Sequence, residues 1–167
     1  MPTKKTAILD ATAIGQKVHR IAYQILEEND QEKEISLIGI KDNGFVFAQR
    51  LAQFINNISK VKVNLYFIAL DKTNPDKGSV NFDFEPQSLA GKAVIIVDDV
   101  ANTGKTLAYA IKPLLDFPPK KIQIAVLVDR KHKLFPISTD FVGLSLSTTM
   151  QEHIRVELGK EDMAYLV

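Results

Sequence analysis

Short apolar runs recur along this chain, and three of them lead through a turn into a segment with helical spacing. Thr6 to Asp10 predicts a short edge strand. A helix is predicted over 12–28, where Ile14, Val18, Ile21, Ile25 and Leu26 form one apolar stripe. Asp10 or Thr12 is suited to cap it, and Lys17, His19, Arg20 and Tyr23 lie on its solvated face. After a polar linker, Ile35 to Ile40 predicts a strand and Phe45 to Ile58 a second helix. Val61 to Leu70 begins with alternation and then turns apolar. Ser79 to Glu85 alternates again, with Val80, Phe82 and Phe84 on one side. With the turn-rich 71–78 between them, these segments predict a hairpin with a mobile tip. Ala93 to Val97 is uninterrupted and rich in β-branched residues, the signature of a strand buried on both faces at the centre of a parallel sheet. A third helix is predicted from Leu107 to about Leu115, ended or kinked by Pro113. Ile122 to Val128 predicts another central strand, and 141–144, 154–158 and 164–167 short ones. The pattern predicts an α/β protein with a mostly parallel sheet flanked by helices.

Chemistry gathers where the central run stops. Asp98 and Asp99 follow it directly, then a small polar turn, Asn102-Thr103-Gly104-Lys105-Thr106, then helix. Free backbone N–H groups in such a turn favour an anion. Gly104 lets the backbone close where a Cβ would clash, and Thr103 and Thr106 add hydroxyl donors. The paired carboxylates are suited to accept charge-assisted hydrogen bonds from a sugar diol. Gly104-Lys105-Thr106 also matches the end of a nucleotide-binding P-loop. That motif needs a glycine at position 99, where this chain carries a carboxylate. A cradle for one terminal phosphate with a sugar beside it remains.

Composition narrows the field. At 167 residues the chain predicts one domain with a substantial core. The net charge of +1 gives no global pull toward nucleic acid or membrane. Cysteine is absent, which removes disulfides and thiolate chemistry, and the 3 histidines lack metal-ligand spacing. The N-terminus has no signal-peptide apolar core and no run reaches membrane-spanning length, so a soluble cytoplasmic protein without a membrane partner is expected.

Val94 to Thr106 resembles the phosphoribosyl-diphosphate (PRPP) motif of type I phosphoribosyltransferases: apolar strand, two acids, small residues, then Thr-Gly-x-Thr. Ile38-Gly39-Ile40-Lys41 with Gly44, and Gln123 to Arg130 with His132 and Pro136-Ile137, are similar to the PyrR group, bifunctional pyrimidine-operon regulators and uracil phosphoribosyltransferases. The resemblance implies one phosphoribosyltransferase domain over 1–167, a lid hairpin at about 61–85, and a hood from about 136–167 with the N-terminal segment.

It also implies roles. Asp98 and Asp99 would grip the ribose hydroxyls as catalytic residues, and Ala101, Asn102, Thr103, Gly104, Lys105 and Thr106 would hold the 5-phosphate. Lys41, Asp42, Asn43 and Gly44 would face the diphosphate, with Asp42-Asn43 where the group carries Thr-Arg. Lys72 would replace the lid arginine. Asp129, Arg130 and Val142 would border the base pocket. Arg20 and His132 would touch RNA, with His19 and Tyr23 in place of the usual Thr and His. Mg²⁺ would arrive with PRPP, and the protein would form a homo-oligomer. Three readings stay open: a working transferase, with uracil as its base; a catalytically weak regulator binding PRPP or nucleotide and RNA; and a purine-specific transferase.

Overall fold

The computed structural model describes residues 4–167. Among the described residues nine strands and three α-helices follow one another as β1 (Thr6–Leu9), α1 (Ala11–Glu28), β2 (Glu34–Ile40), α2 (Asn43–Ile58), β3 (Lys62–Ala69), β4 (Asn81–Phe82), β5 (Ala93–Ala101), α3 (Lys105–Ile111), β6 (Lys121–Asp129), β7 (Phe141–Ser145), β8 (Ile154–Glu157) and β9 (Met163–Leu166). The central sheet runs β4-β3-β2-β5-β6-β7. It is parallel from β3 to β7, and only β4 runs against its neighbour. A second, antiparallel sheet, β1-β9-β8, forms the hood.

The apolar alternation explains the layers. Ile35 and Leu37 of β2, Ile95 and Val97 of β5, and Ala125 and Leu127 of β6 pack with the stripes of α1 and α2. Their neighbours Ile38, Val94, Ile96, Ile124 and Val126 pack on the other face with α3, Phe84 and Leu89. A strand between two such layers has no polar face to show, hence the uninterrupted run. Leu9, Ile154, Val156 and Ala164 of the hood join the cluster under α1 and α2, which seats the hood against the sheet.

Several boundaries move for identifiable reasons. Asp10 caps α1, accepting from Ala13 N–H at 2.8 Å. α2 begins at Asn43, because the Asp42 carbonyl already accepts from Phe45 and Val46 N–H. β5 runs past its apolar part to Ala101: pairing with β6 continues through Asp98↔Val126 and Ala101↔Asp129, so the acidic doublet sits on the strand itself. The hairpin shrinks to a two-residue β4, because Asp83 rather than further backbone accepts from Phe67 N–H, at 2.8 Å. A short 3₁₀ turn over Lys112–Leu114 holds Pro113 beyond the end of α3.

The outer face of α1 is exposed as expected at His19, Arg20 and Tyr23, but two of its side chains are engaged. Arg20 donates to the carbonyls of Val142 at 3.1 Å and Gly143 at 2.6 Å, and His19 stacks on Phe54 with ring centroids 4.0 Å apart. β7 is an edge strand. Its unpaired carbonyls need donors, and an arginine on the adjoining helix supplies them.

Candidate active site

A cavity of about 400 Å³ opens at the carboxyl end of β5, where parallel α/β sheets place their ligands. Residues 98–107, Lys72 and part of the hood line it. Both acids of the doublet and the whole expected phosphate turn are therefore brought together. Gly104 holds φ +85°, the left-handed conformation that favours glycine. The Ile137 side chain lies 3.1 Å from where its Cβ would be. The Thr103 carbonyl accepts from Leu134 and Phe135 N–H, at 2.9 and 3.1 Å, so the loop after β6 braces the turn from outside.

The doublet is held unequally. Asp98 is buried, 2% exposed. Its Oδ1 accepts from Asp99 N–H and from Lys72 Nζ, each at 2.9 Å. Asp99 Oδ1 accepts from Val100 N–H at 2.9 Å and from Lys72 Nζ at 3.4 Å, and its Oδ2 from Asn43 Nδ2 at 3.3 Å. Burial pushes the Asp98 carboxyl up to about 8, against the pull of Lys72 and with added repulsion from Asp99. Burial opposes ionisation of Asp99 too. There the Lys72 ammonium and the bonds from Asp98, Val100 and Asn43 prevail and hold it below the ordinary carboxylate range. Burial works against the Lys72 ammonium, but the two carboxylates win and raise it. The doublet thus carries about one negative charge near neutrality, matched by Lys72.

This arrangement ties stability to pH. A carboxyl raised on folding contributes stability that is full below its unfolded value, near 4, and lost as pH rises through about 8. We expect the ligand-free protein to lose melting temperature relative to Asp98→Asn between pH 5 and pH 9. The gap should grow by several degrees, at roughly 2–4 °C per kcal/mol for a chain of this size. A gap that stays constant in thermal melts across that range would show that Asp98 does not titrate there.

The remaining expected residues divide. Lys72 does reach the doublet, from the segment expected to be the lid. From the same segment Asp76 pairs with Lys105 of the turn after β5 at 3.1 Å. Lys41 places its ammonium 3.7 Å from the Phe67 ring centroid. Gly44 packs hard against Asp98. Asp42 is exposed, at the start of α2.

Asp129, Arg130 and Val142 are not among the residues lining the cavity. Asp129 accepts from Lys133 Nζ, the Thr139 hydroxyl and Lys131 N–H. Buried Arg130 donates to Thr148 Oγ1 and to the Thr149 carbonyl, and the Val142 carbonyl is taken by Arg20. Asp129 and Arg130 hold together the loops after β6 and β7. His132 is exposed in the first of these loops.

The hood contributes what sequence reasoning missed. Arg155 and Tyr165 face each other across β8 and β9, and with Glu157 they line the cavity. The Tyr165 hydroxyl donates to Glu157. The alternation Ile154-Arg155-Val156-Glu157 marks one apolar and one polar face, the only trace of this wall in the sequence.

A parallel sheet with this order, a hood beside it, and an acidic doublet leading into a glycine-centred turn describe one class of enzyme. The chain belongs to the phosphoribosyltransferase family, whose phosphoribosyl transferase domain matches residues 4–159. Within it, the chain is similar to the bifunctional protein PyrR of Brevibacillus brevis, 38% identical over 170 residues that cover 98% of this chain and 95% of that one. The bifunctional protein PyrR of Fusobacterium nucleatum is 35% identical, covering 99% and 100%. Among solved structures, a hypoxanthine-guanine phosphoribosyltransferase from Bacillus anthracis superimposes with a TM-score of 0.73 at 25% identity, covering 87% of this chain and 85% of that one. The hypoxanthine phosphoribosyltransferase of Trypanosoma cruzi, at a TM-score of 0.75 and 20% identity over 89% and 84%, shares the fold.

Proposed function

We propose that this phosphoribosyltransferase transfers ribose 5-phosphate from PRPP to uracil, releasing diphosphate. The observation that carries the reading is the continuity of Asp98-Asp99 with the 101–106 turn along one cavity wall. Acceptors for a sugar diol and backbone donors for one phosphate thus follow each other along the wall. The choice of uracil rests on similarity to PyrR proteins over nearly the whole chain.

The chemistry asks for little covalent help. As the bond between ribose carbon and diphosphate oxygen stretches, the sugar takes on oxocarbenium character. A base nitrogen then bonds that carbon and diphosphate leaves. The 101–106 turn anchors the 5-phosphate, Asp99 and Asp98 orient the hydroxyls, and the hood encloses the reacting end, which supplies alignment. Two hard carboxylate oxygens beside a polyphosphate suit Mg²⁺, which takes one or two carboxylates together with substrate oxygens. Among the described residues no cluster of three or more acids or histidines could hold a metal, so the ion would be held jointly with PRPP. Bound there, Mg²⁺ would neutralise charge on the departing diphosphate.

The leaving-group side is sparse, and this favours a second reading. Lys41 is turned onto Phe67, Asp42 adds a negative charge, and Asn43 is engaged elsewhere. Losing one well-placed positive group at a developing anion costs about 10²–10³ in rate. A slow enzyme that serves chiefly as a PRPP- or nucleotide-sensing regulator fits these observations. Contact with RNA through Arg20 fits less well, since its guanidinium holds β7.

Diphosphate release from PRPP and Mg²⁺, measured with uracil, hypoxanthine and guanine in turn, tests the proposal. Release with uracil alone is expected. Release only with a purine would assign the chain to purine transfer. PRPP binding with no release for any base would favour the regulator.

A further inference from the structure

Asn43 opens α2 at the end of the segment that the family resemblance sets facing the diphosphate, yet its amide points elsewhere. Nδ2 donates to the Val156 carbonyl at 2.7 Å and to Asp99 Oδ2 at 3.3 Å. Both partners are acceptors only, so the nitrogen, not the oxygen, must face them. The two N–H groups are thereby used, and the side chain has only its carbonyl left, which repels rather than binds a polyanion.

Each partner gains something specific. β8 is the edge strand of the hood sheet, and Asn43 satisfies a carbonyl of that edge. Asp99 Oδ1 is held twice, by Val100 N–H and Lys72. Its Oδ2 is held, among the described residues, by Asn43. Without that bond the carboxylate is anchored at one oxygen and free to turn about its last torsion, which is broad for a carboxylate.

Resting on the ribose-binding reading of Asp99, we propose that Asn43 is a positioning residue. It ties the hood to the acidic doublet and fixes the face that Asp99 presents to the ribose hydroxyls, instead of contacting diphosphate. Seating of the hood and orientation of the sugar acid are then one event.

Three probes separate the possibilities, each titrated calorimetrically into Asn43→Ala and wild type with Mg²⁺ present: ribose 5-phosphate, inorganic phosphate and inorganic diphosphate. Loss of this hydrogen bond to a charged group, acting indirectly, should weaken ribose 5-phosphate binding roughly tenfold. Phosphate and diphosphate should stay within about twofold of wild type, because neither carries the hydroxyls. Asn43→Ser, whose short hydroxyl cannot span both acceptors, is measured alongside in case alanine unfolds the start of α2, with the same expectation. Loss confined to diphosphate would return Asn43 to the leaving group. Equal loss of all three ligands, or unchanged ribose 5-phosphate affinity, would also overturn the role. Wild-type chain that binds no ribose 5-phosphate would refute the ribose site itself, a failure visible before any variant is compared.

Discussion

Asp99→Ala is expected to weaken PRPP binding by about 100-fold or more while leaving the melting temperature within a few degrees of wild type. Asp99 is the acid of the doublet held in its charged form. Hydrogen bonds to a charged acceptor contribute about 1.5–3 kcal/mol each, and a ribose diol offers two. Removing the acceptor leaves those hydroxyls facing a gap in a partly closed cavity. The fold should tolerate the change. Asp99 takes no part in either apolar cluster. Lys72 keeps its 2.9 Å bond to Asp98, which is also relieved of a like charge. Calorimetric titration with PRPP and a thermal melt decide the matter. Near-native affinity would remove Asp99 from the sugar site, and a melting point lower by more than about 10 °C would make it a structural residue.

Gly44→Ala should damage stability and binding together. A Cβ there would lie 2.8 Å from the Val97 carbonyl oxygen, 2.9 Å from Asp98 Oδ1 and 3.0 Å from Asp98 Cα. Two of those atoms are backbone of the central strand and cannot withdraw. The first turn of α2 must lift away from β5, taking Asn43 and the 41–44 loop with it. Overpacking of this kind costs about 1–3 kcal/mol, or roughly 2–12 °C in melting temperature. The displaced doublet should lower ribose 5-phosphate affinity as well. Gly15, where a Cβ would meet nothing within 4 Å, is the control, and Gly15→Ala should be neutral or stabilising. A Gly44→Ala protein as stable as the control would mean that α2 does not press on β5 as described.

The sequence alone determined the layered sheet, the helices and the acidic doublet and turn that line the cavity. Each of those follows from short-range regularities. Ile14, Val18, Ile21 and Ile25 recur once per helical turn because one stripe of α1 is buried. Ala93 to Val97 is apolar throughout because both faces of β5 are covered. Asp98, Asp99 and Gly104 stand out against that background because acids and a glycine directly after a buried strand have few uses other than binding. Tertiary structure decided which polar side chains reach one another. Arg20 spans 123 residues to the Gly143 carbonyl, and Asn43 spans 113 to that of Val156. Neither partner is visible in the local pattern, since a carbonyl has no letter of its own. The same holds for the unequal burial that separates Asp98 from Asp99, adjacent and identical in the sequence. It also holds for β8, whose Arg155 and Glu157 reach the cavity because Ile154 and Val156 anchor the strand to the core beneath α1 and α2. Periodicity records whether a residue is buried; only packing records what it is buried against.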